Sequence, residues 1–174
     1  VLLRGINVGG AGKLPMAALR ETCARLGCED IVTYIQSGNV VLRSRLPAAR
    51  LRTALAAAIE TGFGFAPEVM VRTAQELAAV VAANPYPGAD TGGVHVGFLH
   101  EPPGAAARRC LTGLDGAAER ITAAGRELYY LLPNGMGRAD LPVKVERCIR
   151  PAPVTVRNWN TVTKLAELSS PGRG

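Results

Sequence analysis

The side chains equipped for chemistry lie in three short polar segments. The first holds Arg4, Asn7, Gly9, Gly10 and Lys13, the second Gln36, Ser37 and Asn39, and the third Arg157, Asn158, Asn160 and Thr161. Cations, carboxamides, hydroxyls and glycine amides can hold an anion and stabilise developing negative charge. No segment contains an acid, so paired-carboxylate catalysis has no starting point. Ser37 has no nearby base, because the two histidines, His95 and His100, lie far along the chain. Those histidines are five positions apart and fall on opposite faces of an extended strand, which does not make a metal set. Neither a metal nor a cofactor is expected.

The residues therefore predict a site for a small anionic or phosphorylated ligand, with or without turnover. The Gly9 and Gly10 amides, followed by a helix N-terminus at Pro15, would cradle the anion, and Lys13 would supply the countercharge. The glycine pattern matches neither a dinucleotide fingerprint nor a P-loop. Plainer roles stand beside these. Gly9 and Gly10 can simply make a turn, Gln36 to Asn39 can close a hairpin, and Asn158 or Asn160 can cap a helix that Trp159 anchors.

Positioning these segments requires a particular order of elements. Strands are predicted over Val1 to Val8, Ile31 to Gln36, Asn39 to Arg43 and Glu68 to Arg72, and helices from Pro15 to Leu26 and Pro47 to Ile59. Ser37-Gly38 reads as the turn of a hairpin. A further helix follows, with Thr73 and Glu76 spaced as a capping box. The stretch 84–93, rich in proline and glycine, reads as a linker. Strands over Val94 to Leu99, Ala118 to Thr122, Glu127 to Leu132 and Val154 to Arg157, with helices over Ala105 to Leu114 and Leu141 to Ile149, then repeat the order, and a last helix runs from Asn160 to Leu168. Val71-Arg72-Thr73 and Val156-Arg157-Asn158 occupy matching junctions.

The expected fold is thus α+β, two ferredoxin-like βαββαβ halves each followed by an extra helix, with domains 1–83 and 94–174 around the linker 84–93. The main rival is a parallel-sheet α/β fold. In the ferredoxin-like order, the end of the first strand and the turn after the second meet at one sheet edge. Asn7 to Lys13 should therefore meet Gln36 to Asn39.

Charge is uneven along the chain. Residues 1–52 carry 8 Lys or Arg against 3 acids, residues 53–137 carry 5 against 8, and residues 138–174 carry 7 against 3. The basic ends hold the polar segments, which suits an anionic partner. Arginine makes up seventeen of the twenty basic residues, a bias that genome composition also produces. Single-stranded nucleic acid is an alternative partner, weakened because the strands that would stack bases offer Leu2-Leu3-Arg4 and Val40-Val41-Leu42. A protein-interaction or structural module is the third reading, and oligomeric state is left open. Hydropathy predicts no membrane span, and the absence of a leader pattern places the protein in the cytoplasm. Cys23, Cys28, Cys110 and Cys148 show no Cys-x-x-Cys spacing, so inert thiols without disulfides are expected.

In combination, Leu2-Leu3-Arg4-Gly5-Ile6-Asn7-Val8-Gly9-Gly10, Tyr34-Ile35-Gln36-Ser37-Gly38-Asn39-Val40 and Arg157-Asn158-Trp159-Asn160-Thr161-Val162 resemble the hallmarks of an uncharacterised bacterial family, the domain of unknown function numbered sixteen ninety-seven. Asn84-Pro85 and the stretch from Tyr130 to Gly137 extend the resemblance. It implies a soluble bacterial α+β protein with two related subdomains, and no agreed reaction. Where such proteins often have Ser-Lys-Leu, this chain has Ala139-Asp140-Leu141, so a ligand contact by that lysine is lost or reversed.

Overall fold

The computed structural model describes residues 1–7, 12–114, 116 and 118–170. The first half runs β1 (Leu2–Arg4), α1 (Met16–Arg25), β2 (Glu29–Tyr34), β3 (Asn39–Arg43), α2 (Ala48–Phe63), β4 (Glu68–Met70) and α3 (Ala74–Ala82). The second runs β5 (Val94–Phe98), α4 (Ala105–Thr112), β6 (Arg120–Ala124), β7 (Glu127–Leu131), α5 (Leu141–Ile149), β8 (Thr155–Asn158) and α6 (Trp159–Ser169). The sheet orders are β2-β3-β1-β4 and β6-β7-β5-β8, with every pairing antiparallel. Both are the ferredoxin-like order, and both halves end in an extra helix. Among the described residues no helix is long and apolar enough to cross a membrane.

The helices form where apolar residues recur with helical period. Leu19 and Cys23 of α1, and Leu51, Leu55 and Ile59 of α2, bury one face each against Leu3, Val40 and Val69 of the first sheet. This requires i, i+4 spacing from the helices and alternation from the strands. Pro15 precedes α1 with φ −60°, a value its ring imposes, and Gly64 ends α2 in the left-handed region at φ 76°. In the second half, Leu141, Val145 and Ile149 of α5 and Leu111 of α4 bury against Leu128 and Tyr130. Gly97 makes room for that packing, since a Cβ there would stand 2.9 Å from Val154 Cγ2 and 3.1 Å from the Tyr130 ring.

The chain divides into two compact units, Val1–Gln75 joined by the chain from Glu167 on, and Glu76–Ala166. The boundary falls in the first turn of α3, and the stretch 84–93 lies within the second unit. Two contacts place most of α3 there. Tyr129 on β7 donates its hydroxyl to the Val80 carbonyl at 2.9 Å, and Arg126 pairs with Glu76.

Two expectations need correction. The hairpin turn is not Ser37-Gly38 alone: β2 stops at Tyr34, which pairs with Asn39, leaving a four-residue loop from Ile35 to Gly38. Ile35, a β-branched residue that reads as strand, takes φ 52° and turns the chain. The four cysteines are also not all free. Cys110 on α4 and Cys148 on α5 are joined in a disulfide, with Cα atoms 5.6 Å apart and a sequence separation of 38. Sequence spacing gave no sign of it because the bond depends on two helices packing side by side. Cys23 and Cys28 are free and buried, and burial pushes the Cys23 thiol up to about 11.

Candidate functional site

The first two polar segments meet in the first unit, where topology requires. Asn7 leaves β1 with φ 54° and its carboxamide serves both loops. Its Nδ2 donates to the Leu14 carbonyl and to the Gln36 carbonyl, each at 2.9 Å, while its Oδ1 accepts from the Leu14 amide at 2.9 Å. The Asn7 amide donates to the Gly12 carbonyl at 3.1 Å. One side chain thus closes the β1–α1 loop and ties it to the β2–β3 loop.

The second loop is locked from its other end. Asn39 is fully buried, and its Nδ2 donates to the Tyr34 carbonyl and to Ser37 Oγ, each at 3.0 Å. The Gly38 carbonyl accepts from the Leu3 amide at 2.8 Å. Gly38 has φ 79°, and a Cβ there would lie 2.8 Å from Leu3 Cβ and 2.7 Å from Ile6 Cδ1. Only glycine fits this crossing of loop over strand.

These contacts sort the expected residues by what remains available. Asn7 and Asn39 are consumed by the fold, and Ser37 Oγ accepts from Asn39. Arg4, Lys13 and Gln36 are exposed. Arg4 stands opposite Glu68 in the β1–β4 register, so an acid neighbours this cation. The side chains of Lys13 and Gln36 make no hydrogen bond or ion pair among the described residues. Gly9 and Gly10 lie outside the described residues.

The third segment belongs to the second unit. Arg157 lies on β8 opposite Val96 and donates through Nη1 to the Val156 carbonyl at 2.9 Å and to Thr155 Oγ1 at 3.1 Å. Burial lowers its guanidinium to about 10, which still leaves it charged at neutral pH. The matching Arg72 of the first half is 7% exposed and donates its Nη1 to the Val71 carbonyl at 3.0 Å. The repeat therefore extends to side-chain behaviour: in each half an arginine, buried in the first and half-buried in the second, folds back on the carbonyl just before it. Asn158 caps α6, its Oδ1 accepting from the Thr161 amide at 2.8 Å. Thr161 is 4% exposed, while Asn160 is exposed and its side chain makes no hydrogen bond among the described residues.

Sequence reasoning passed over a shallow groove of about 280 Å³ between α3 and the β6–β7 hairpin, lined by Glu76, Ala83, Ala124, Arg126, Glu127 and Tyr129. Its Glu76 and Arg126 neutralise each other and its Tyr129 hydroxyl is committed to Val80. His95, 8% exposed on β5, stands 3.5 Å from the Gly93 carbonyl through Nδ1, and burial lowers its pKa below 6.5.

A model of the family described as "Protein of unknown function (DUF1697)" matches residues 1–129, which include both loops clamped by Asn7. The chain belongs to this family. The match ends before Arg157, so the third segment lies beyond it. Among solved structures, the chain is similar to the conserved bacterial protein SP0830 from Streptococcus pneumoniae, with a TM-score of 0.70, 21% identity, and coverage of 97% of this chain and 95% of that one. At that identity the likeness shows the fold. No curated protein matches the chain.

Proposed function

We propose that the two clamped loops of the first unit form a preorganised platform for a small anionic or phosphorylated ligand. The observation that carries this reading is backbone conformation. Asn7 and Ile35, one in each loop, both hold left-handed φ values, and Ile35 does so while half exposed. A β-branched residue in that region costs of order 1–3 kcal/mol, and such strain persists where surrounding contacts enforce it, often at ligand sites. Lys13 and Arg4 supply positive charge and Gln36 supplies hydrogen bonds, at a platform whose shape Asn7, Gly38 and Asn39 maintain. Glu68 beside Arg4 limits the charge this cation offers. In this reading the protein works in the cytoplasm.

The test is a thermal-shift screen against inorganic phosphate, nucleotides and phosphorylated sugars. Stabilisation by one class is expected, reduced in Lys13→Ala and Gln36→Ala without loss of folding. A flat response across the panel, or a shift unchanged in Lys13→Ala, would overturn the assignment.

A second reading has its own observation. Asn7, Asn39 and Asn158 each satisfy backbone groups, so the asparagines of the hallmark segments maintain loops and a helix end. That suits an interaction module. Capture of a protein partner that survives Lys13→Ala, with no ligand shift, would favour it.

A further inference from the structure

The linked cysteines of the second unit are unlike the other two. Cys23 and Cys28 are 0% and 6% exposed in the first unit's core. Cys110, in contrast, is exposed and Cys148 half-buried, on neighbouring helices α4 and α5. Their sequence surroundings are cationic. Arg109 precedes Cys110, Arg147 precedes Cys148, and Lys144 lies one helical turn before Cys148. None of these three side chains makes an ion pair or hydrogen bond among the described residues. Glu146 is the acid nearest in sequence on α5. Adjacent cations favour a thiolate, the form that attacks and leaves in disulfide exchange. The last-turn positions of both cysteines oppose this, with roughly half a negative charge at each helix C-terminus.

The two helices also do not rely on the bond for their position. Leu111 of α4 and Leu141, Val145 and Ile149 of α5 are buried in the second unit's core. Opening the bond would leave that apolar packing in place.

We infer that Cys110 and Cys148 form a reversible dithiol–disulfide couple that exchanges with low-molecular-mass thiols, with Cys110 the sulfur first attacked. The thiolate of one such thiol attacks the exposed Cys110 Sγ, forming a mixed disulfide and breaking the bond to Cys148. Cys148, one helical turn after Lys144, leaves as a thiolate and takes up the proton that the attacking thiol lost. A second thiol then attacks the sulfur of the first, releasing Cys110 as a thiol. The two small thiols are oxidised to their disulfide, and two electrons and two protons end on the protein. Oxidation by a small disulfide runs the same steps backward.

The experiment equilibrates the native protein in graded mixtures of reduced and oxidised glutathione, alkylates with iodoacetamide, and maps the peptides by mass. Cys110 and Cys148 should become alkylated together as reduced glutathione rises and be protected again by oxidised glutathione. Cys23 and Cys28 should stay unmodified, and the far-UV circular dichroism unchanged. The double variant Lys144→Gln, Arg147→Gln should slow reduction several-fold. Alkylation only after denaturation, loss of secondary structure on reduction, or two cysteines that stay open to alkylation in every oxidised mixture would each overturn the proposal.

Discussion

Asn7 donates from one side-chain nitrogen to the carbonyl of Gln36, 29 residues away, while the same nitrogen reaches Leu14. The bond ties together two loops that strand order alone brings to one sheet edge. Removing it should therefore be felt in both.

Asn7→Ala loses three side-chain hydrogen bonds and places a Cβ-bearing residue, without Asn's tolerance, at φ 54°. A loss of about 2–4 kcal/mol is expected by urea denaturation. Asn7→Gly loses the same bonds but suits the left-handed backbone, so it should cost about 1 kcal/mol less than Ala. Equal losses would show that backbone conformation contributes nothing at this position.

Ile35 should behave in the opposite sense. Half exposed and left-handed, it gives up little burial on replacement, and Ile35→Gly or Ile35→Asn should raise stability by about 1 kcal/mol. A thermal melt lower than wild type would mean that its side chain holds the loop.

Two asparagines two positions apart should separate cleanly. Asn158→Ala removes the cap of α6 and should cost about 1 kcal/mol. Asn160→Ala, with an exposed side chain, should change stability by less than about 0.5 kcal/mol. Chemical denaturation of the pair checks the assignment of the cap.

His95 predicts a pH dependence. Its folded pKa lies below the unfolded 6.5, so below 6.5 the unfolded chain binds more protons at this site. Stability from this group is complete above about pH 6.5 and falls as the pH drops toward the folded pKa, by at most about 1.4 kcal/mol per pH unit. Urea melts at pH 7.5 and 5.5 should show a larger acid loss in wild type than in His95→Gln. Equal losses would refute the shift.

The sequence revealed most where burial and periodicity agree. Leu141 to Ile149 forms a helix at the expected bounds because its apolar residues repeat every four positions, and β3 spans Asn39–Arg43 as its run of β-branched and apolar residues predicts. Element order was enough to bring Asn7 to Gln36, and with it half of the candidate site. Conformations that contradict a residue's type were hidden. Ile35 belongs by propensity to a strand and in fact turns the chain, and β1 ends at Arg4 because Gly5 takes φ 74°. Nor can composition tell an asparagine that greets a ligand from one whose carboxamide is spent on main chain, as in Asn7 and Asn39. Packing between α4 and α5 decided the pairing of Cys110 with Cys148, and no spacing along the chain encodes it.

That pairing joins positions with a sequence separation of 38 and closes a covalent ring containing the whole β6–β7 hairpin. A protease that cuts once inside the ring severs the polypeptide without releasing either piece. On a denaturing gel the nicked molecule would run as one band until a reductant is added, then as two, so the ring keeps a record of each cut that intact mass alone would report only as one added water.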